Sequence, residues 1–406
     1  MIRFLTAGES HGPALTGIVE GVPARLPLRH DDINEHLARR WLGFGRGGRA
    51  KIEQDRVSIE SGVRFSETIG SPIALRLPNA SHKKDKAGWP EKMAVEGSGD
   101  GIEKVTLPRP GHADLVGVQK YGFDDIRPVI ERSSARETAM RVACCSVARH
   151  LLRQLGIEVG SHVVRIGEVG YDAPEDWMDV VQHLLDNGSA RHVYEAADTS
   201  DTRMLDDDLT RKCVEHIKAT KKEGDSLGGQ YEVIITGVPP GLGSYVHWEH
   251  RLDGQLAQAI MSIQAQKAVE VGDGVAGAYR PGSSIHDPIV EENGTYKRTS
   301  NHAGGIEGGT SNGMPIIVRG FMKPIPTLIK PLNTVDIASG EAQPTRYERS
   351  DVTSVPAAST VAEATVALTI ANAVLRKYGG DSYPEIRQRF EQEVASAGHC
   401  LERPNR

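Results

Sequence analysis

Strand and helix patterns follow one another irregularly along this sequence, and that trait narrows the fold more than any other. Strand-like apolar runs at residues 2–5, 14–19, 52–59 and 72–77 come first, with one helical pattern among them. Further strands are expected at 162–169, 231–236 and 315–320, separated by helical patterns of unequal number and length. The order never becomes the strand–helix repeat of doubly wound or barrel folds. An α+β fold with antiparallel sheet is expected.

The helices carry their own punctuation. Asp31 and Asp32 open one whose Ile33, Leu37 and Trp41 share a face, with the acidic residues at its positive end. Ser134 and Glu137 have capping-box spacing ahead of Met140, Ala143, Val147, Leu151 and Leu155, and Gly156 stops that helix. Pro174 opens a helix with Trp177, Val180, Val181 and Leu184; others cover residues 209–221 and the Leu256, Ile260, Ile263 stripe. Thr360 and Glu363 have the spacing to cap a last long helix with Val361, Ala364, Leu368, Ala371 and Leu375 on one face, up to Gly379. With no linker or composition break, residues 1–406 read as one unit. Residues 81–103 are charged, glycine-rich and aperiodic, which suits either a mobile loop that closes over a site or plain surface disorder.

Charge excludes some partners. Forty-eight basic against 54 acidic residues give a net charge of −6, no support for nucleic-acid binding. No run reaches the roughly 18 to 20 apolar residues of a membrane span, and the amino terminus lacks a secretory pattern, so a cytoplasmic location is expected. Cys144, Cys145, Cys213 and Cys400 lack C-x-x-C spacing and read as buried or free thiols, without structural zinc or disulfides.

The 44 glycines exceed the roughly 28 expected at average usage, and they gather at residues 43–48, 97–101 and 304–313, where backbone turns sharply or approaches a ligand. Gly8-Glu9-Ser10-His11-Gly12 presents a carboxylate, a hydroxyl and an imidazole between two glycines. It also satisfies G-x-S-x-G, so a serine hydrolase using Ser10 is one reading. That elbow needs a helix after the serine, whereas Leu15, Gly17 and Val19 predict a strand. Gly43, Gly45 and Gly48 satisfy G-x-G-x-x-G but follow a helix and lead to a strand, the reverse of a dinucleotide site. His247-Trp248-Glu249-His250 lacks the H-E-x-x-H spacing, and no metal site is assigned. What recurs is arginine beside glycine or serine: Arg40, Arg46, Arg49, Arg109, Arg132, Arg136 and Arg349, with Lys323 between prolines. Arginine forks suit carboxylates and phosphates, so a polyanionic ligand is expected if they converge. Each arginine taken singly is equally a surface salt-bridge residue.

The motifs Gly8-Glu9-Ser10-His11-Gly12, Arg40 with Gly43-Phe44-Gly45-Arg46-Gly47, Arg109-Pro110-Gly111-His112-Ala113-Asp114, Glu131-Arg132-Ser133-Ser134-Ala135-Arg136-Glu137-Thr138, Asn301-His302-Ala303-Gly304-Gly305 and Arg349-Ser350-Asp351 resemble, in order and over essentially the whole chain, those of the chorismate synthase family. Ala268 departs from the glycine usual there. The resemblance implies a β-α-β sandwich of antiparallel sheets flanked by helices, assembled as a homotetramer. It implies a 1,4-anti elimination of phosphate and a C6 proton from 5-enolpyruvylshikimate 3-phosphate, giving chorismate with reduced FMN and no net redox change. Reduced flavin would lend electron density as phosphate leaves and recover it as the proton goes.

By position, His11 matches the histidine that assists the departing phosphate and His112 the one that keeps the reduced flavin protonated. Asp351 matches the carboxylate that removes the ring proton, directly or by way of flavin N5. Ser134, Ala135, Arg136, Gln264, Ala265, Gly308, Lys323, Pro324, Ile325, Pro326, Thr327 and Arg349 match flavin-contacting positions. Arg40 and Arg46 match positions for substrate or nicotinamide nucleotide; Arg49 and Arg109 are added here for substrate anions. No reductase segment is visible, so an external flavin reductase is expected, with NADPH as an indirect reductant. A flavin-binding protein that keeps the fold without the elimination is the remaining alternative; the presence of His11, His112 and Asp351 argues against it.

Overall fold

The computed structural model describes residues 1–45, 55–83, 88–173, 175–292, 295–346 and 351–396. Strands β1 (Arg3–Ala7), β2 (Ala14–Glu20), β3 (Ser58–Ile59) and β4 (Ile73–Pro78) form an antiparallel sheet in the order β1-β2-β4-β3. Along β2, Leu15, Gly17 and Val19 point inward while Thr16, Ile18 and Glu20 face out, the period-two pattern of a sheet covered on one side. A Cβ on Gly17 would collide with Cys144 Sγ and Met140 Sδ, so a helix packs hard on the strand there.

The second sheet contains β5 (Glu158–Ile166), β6 (Val169–Gly170), β7 (Gly229–Thr236), β8 (Gln266–Val271) and β9 (Ile316–Met322), antiparallel in the order β8-β9-β7-β5-β6. β5 and β7 are buried almost throughout, because helices cover both faces.

In chain order the helices that matter are α1 (His30–Arg39), α2 (Asp114–Tyr121), α3 (Arg127–Ser133), α4 (Glu137–Gln154), α5 (Glu175–Asp186), α6 (Ala190–Asp198), α7 (Asp207–Glu223), α8 (Leu252–Met261) and α9 (Val355–Tyr378). α4 and α9 pack on each other between the two sheets, with α1 beside them; α6 lies on β5 from outside and α5 leans on α6. One apolar cluster runs through both sheets and both central helices. The expected α+β sandwich is the observed fold.

Several boundaries differ from the sequence expectation. α9 starts at Val355, with proline in its first turn, so Thr360 and Glu363 lie inside the helix and do not cap it. Glu363 is instead the buried centre of an ionic cluster. Arg39 donates to it at 2.6 and 2.9 Å, Arg149 at 2.5 Å, Arg203 at 3.2 Å and the Ser161 hydroxyl at 2.6 Å. Burial alone would raise its pKa; the three guanidiniums outweigh that and hold it well below the usual carboxylate range. α9 is long and apolar enough to cross a membrane by length and composition, a feature not expected from the sequence, but 78% of the relevant window is buried inside the protein, as in a core helix.

α4 starts at Glu137, and its start departs from a capping box. The Ser134 hydroxyl accepts the Arg136 N–H at 3.2 Å, while Glu137 turns sideways to the Thr6 hydroxyl at 3.0 Å. The 52–59 strand shortens to Ser58–Ile59 among the described residues. Within 81–103, helical turns form at Ala80–Lys83 and Trp89–Lys92. Cys144, Cys145 and Cys213 are buried free thiols; Cys400 lies outside the described residues.

Candidate active site

The β1–β2 connection carries Gly8 to Gly12 to one end of the sandwich, where a single asparagine organises it. Asn79, fully buried, donates from Nδ2 to the carbonyls of Glu9 (3.1 Å) and Gly12 (2.8 Å) and accepts from Arg136 Nε at 3.0 Å. The turn is thus closed by a side chain rather than by strand pairing. Gly8 sits at φ +103° with no room for a Cβ beside the Ala14 carbonyl.

His11 is fixed from below by Glu131 of α3. The His11 main-chain N–H donates to Glu131 Oε2 at 2.8 Å, and Nδ1 lies 3.0 Å from both carboxylate oxygens. An ionised carboxylate only accepts, so Nδ1 carries the proton toward Glu131. Burial works against the Glu131 charge, but the hydrogen bonds from His11 outweigh it and lower the Glu131 pKa.

His112 has the same design with different parts. Nδ1 lies 2.5 Å from Asp114 Oδ1, and Asp114 is wholly buried. Arg109 grips that carboxylate through Nε (2.8 Å), Nη2 (3.1 Å) and its main-chain N–H (3.0 Å), and reaches the Thr327 hydroxyl at 3.0 Å. Against the cost of burial, the bonds from His112 and Arg109 hold the Asp114 pKa far below the usual carboxylate range. Arg109 Nη2 also lies 3.0 Å from His112 Nδ1 and 3.4 Å from Nε2, so the guanidinium braces both members of the pair.

The other expected residues fall into place around these two. The Ser134 hydroxyl donates to Ser10 Oγ at 3.1 Å, and Ser10 is buried with a strand after it, so the nucleophile elbow is absent. Arg40 bonds Thr138 Oγ1 (2.9 and 3.1 Å) and the Ala135 carbonyl (2.9 Å). Arg136 and Arg40 meet over Asp55, at 2.5 and 3.7 Å. Gln264 donates to Glu137 at 3.1 Å, tying the 264–266 turn to the start of α4, and Ala265, at φ +66°, accepts the Lys323 N–H at 3.0 Å. Ser226 reaches the Ile325 carbonyl at 2.7 Å, and Leu227 donates to the Val352 carbonyl at 2.8 Å, which brings Asp351 to the same rim. The N-termini of α4 and α9 open at this end, a favourable setting for anions.

Gly308 does not join them. Its hairpin packs against Tyr245 and Leu252, at the start of α8, whereas Gln264 follows the end of that helix, about 15 Å away at 1.5 Å per residue. Arg46, Arg49 and Arg349 lie outside the described residues. The sequence reading missed Glu131, Asp114 and Asn79 as working parts. Asp114 and Glu131 stood inside the quoted motifs; for Asp114 the two-residue spacing from His112 was the available signal, whereas Glu131 is 120 residues from His11 and had none. Nothing local marked Asn79.

A family model described as Chorismate synthase matches residues 2–375. Relatives named chorismate synthase include one from Salinibacter ruber, 69% identical over 98% of this chain and 99% of that protein. Another from Chlorobaculum tepidum is 54% identical over 96% and 97%. A solved chorismate synthase crystal structure overlays with a TM-score of 0.77 at 40% identity, covering 98% of both chains. The chain belongs to the chorismate synthase family. Family membership makes it a lyase, and neither a serine hydrolase nor a bare flavin carrier is supported.

Proposed function

We propose that this end of the sandwich holds reduced FMN beside 5-enolpyruvylshikimate 3-phosphate and carries out the 1,4-anti elimination to chorismate. The observation that carries the reading is the pair of imidazoles at this end, each with Nδ1 held by a buried carboxylate.

The residues around Gln264 fit a flavin ring. Gln264 Oε1 and Gln266 Nε2 are buried with no hydrogen-bond partner among the described residues, one acceptor and one donor where a heteroaromatic edge offers both. Ser134, Ala135, Arg136, Gln264, Ala265 and Lys323 to Thr327 would hold the cofactor, and Arg349 completes the set by its match to the family. Bound there, reduced flavin would supply electron density to the allylic system. His11 donates a proton from Nε2 toward the departing phosphate, and Glu131 keeps that imidazole oriented. His112 keeps a proton available to the reduced cofactor, oriented by Asp114. Asp351, beside the start of α9, takes up the ring proton. By their match to the family, Arg40 and Arg46 would take the anionic groups of substrate or nicotinamide nucleotide, with Arg49 added for substrate anions, and Lys323 and the two helix ends add positive potential.

The enzyme would work as a cytoplasmic homotetramer supplied with reduced flavin by an external reductase, with NADPH acting only through that partner. Gly308, remote from the rest within one chain, is consistent with an assembled form. Anaerobic assay with NADPH and oxidised FMN but no added reductase should give no turnover; sustained chorismate formation under those conditions would sink the external-reductase part. FMN titration of His112→Ala should show binding close to that of the parent protein with turnover lost. Equal loss of binding and turnover would make His112 a structural residue.

A further inference from the structure

Trp89 lies in a part of the chain that neither the motifs nor the family match singled out, yet its indole stacks on the His11 imidazole. The ring centroids are 3.8 Å apart and the planes differ by 9°. Gly88, in the left-handed region at φ +61°, turns the chain into the short helical segment Trp89–Lys92, whose first turn contains Pro90. Arg127 approaches the indole at 5.3 Å from its centroid and Lys92 at 5.4 Å, and Arg127 also lies 3.4 Å from Glu131. One side chain thus touches both the indole and the carboxylate that hold the same histidine. The His82 ring donates to the His11 carbonyl at 2.9 Å.

Geometry shows what each contact contributes. Glu131 fixes the direction of Nδ1 but leaves the imidazole free to swing about that hydrogen bond. A flat neighbour on the ring face removes this freedom and excludes water from that face. An indole is also the best aromatic surface for a ring that carries positive charge while it handles a proton.

We propose that Trp89 is a positioning residue for His11, the stacked wall that fixes the imidazole plane and so aims Nε2. The proposal rests on reading His11 as a working group, and the test separates the two. An aromatic replacement should keep the wall, whereas an apolar one of similar bulk should not. In the full-length enzyme, Trp89→Phe should retain kcat close to the parent. Trp89→Leu should lose about 2- to 30-fold in kcat, the range expected of one such ring contact, with KM for substrate and the FMN dissociation constant held within about twofold. Equal kcat for the Phe and Leu variants, or a loss confined to KM, would overturn the proposal.

A second readout needs no turnover. The emission of Trp89, taken as the difference between the parent and Trp89→Phe, should brighten when the same difference is measured in a His11→Ala background, because the stacked imidazole no longer quenches it. Unchanged emission would overturn the stacking itself. If the parent makes no chorismate, the functional reading fails, and the emission result alone decides whether Trp89 holds His11.

Discussion

His11 and His112 are held by the same device in two materials. Both donate from Nδ1 to a buried carboxylate, but Arg127 reaches Glu131 only at 3.4 Å, whereas Asp114 is gripped by Arg109 through side chain and main chain alike. The His112 pair is a rigid ionic unit built within one short stretch, residues 109–114. The His11 pair joins three distant stretches of chain, residues 8–12, α3 and the turn at Trp89. A local ionic clamp resists perturbation until one member is removed; a distributed one yields in steps.

The largest effects should come from the imidazoles. His11→Ala and His112→Ala should each lower kcat by about 10²- to 10⁴-fold, the usual worth of a positioned acid or base, while FMN binding survives. Comparable activity for either variant and the parent enzyme would remove that histidine from the chemistry.

The carboxylates should separate the two designs. Asp114→Asn removes the buried charge that pairs with both Arg109 and His112 and should cost about 3–5 kcal/mol of stability, seen as a lower Tm or denaturant midpoint. Glu131→Gln should cost about 1–3 kcal/mol, as expected for a buried hydrogen bond to a charged group. Equal losses would mean that the Arg109 fork adds nothing.

Acid sharpens the same contrast. Both carboxylates have lowered pKa values in the folded protein, so each contributes stability in full above its unfolded value and loses it as pH falls through the folded one. The lowering is larger for Asp114. On acidification below about pH 4.5, the His11 pair should therefore loosen first, read as site-resolved hydrogen exchange at residues 8–12 against residues 109–114. Simultaneous loosening would contradict the distinction.

Ser10→Ala should have the smallest effect. One buried hydroxyl contact is worth about 1 kcal/mol, so activity should fall less than tenfold. Abolished turnover would restore the serine as a nucleophile.

The layers of the sandwich were legible because irregular order excluded parallel folds, the alternation of β2 and the apolar stripe of α4 marked buried faces, and the continuous apolar run of β7 marked a strand covered on both sides. The boundaries were less so. Thr360 and Glu363 have the spacing of a cap, yet that spacing also occurs inside a helix, and only the arrival of Arg39, Arg149 and Arg203 shows which applies. Arg39 and Arg40 make the same point: adjacent in sequence and alike in type, one points into the Glu363 cluster and the other toward Thr138 and the active end. The histidines were found through motifs, whereas Asn79 and Trp89 act across about 70 to 80 residues of chain and have no local signature.

The most direct measurement is a stoichiometric assay under nitrogen with 5-enolpyruvylshikimate 3-phosphate and chemically reduced FMN. The account predicts chorismate and inorganic phosphate in equal amounts, with the flavin still reduced at the end. Flavin binding without phosphate release would contradict it.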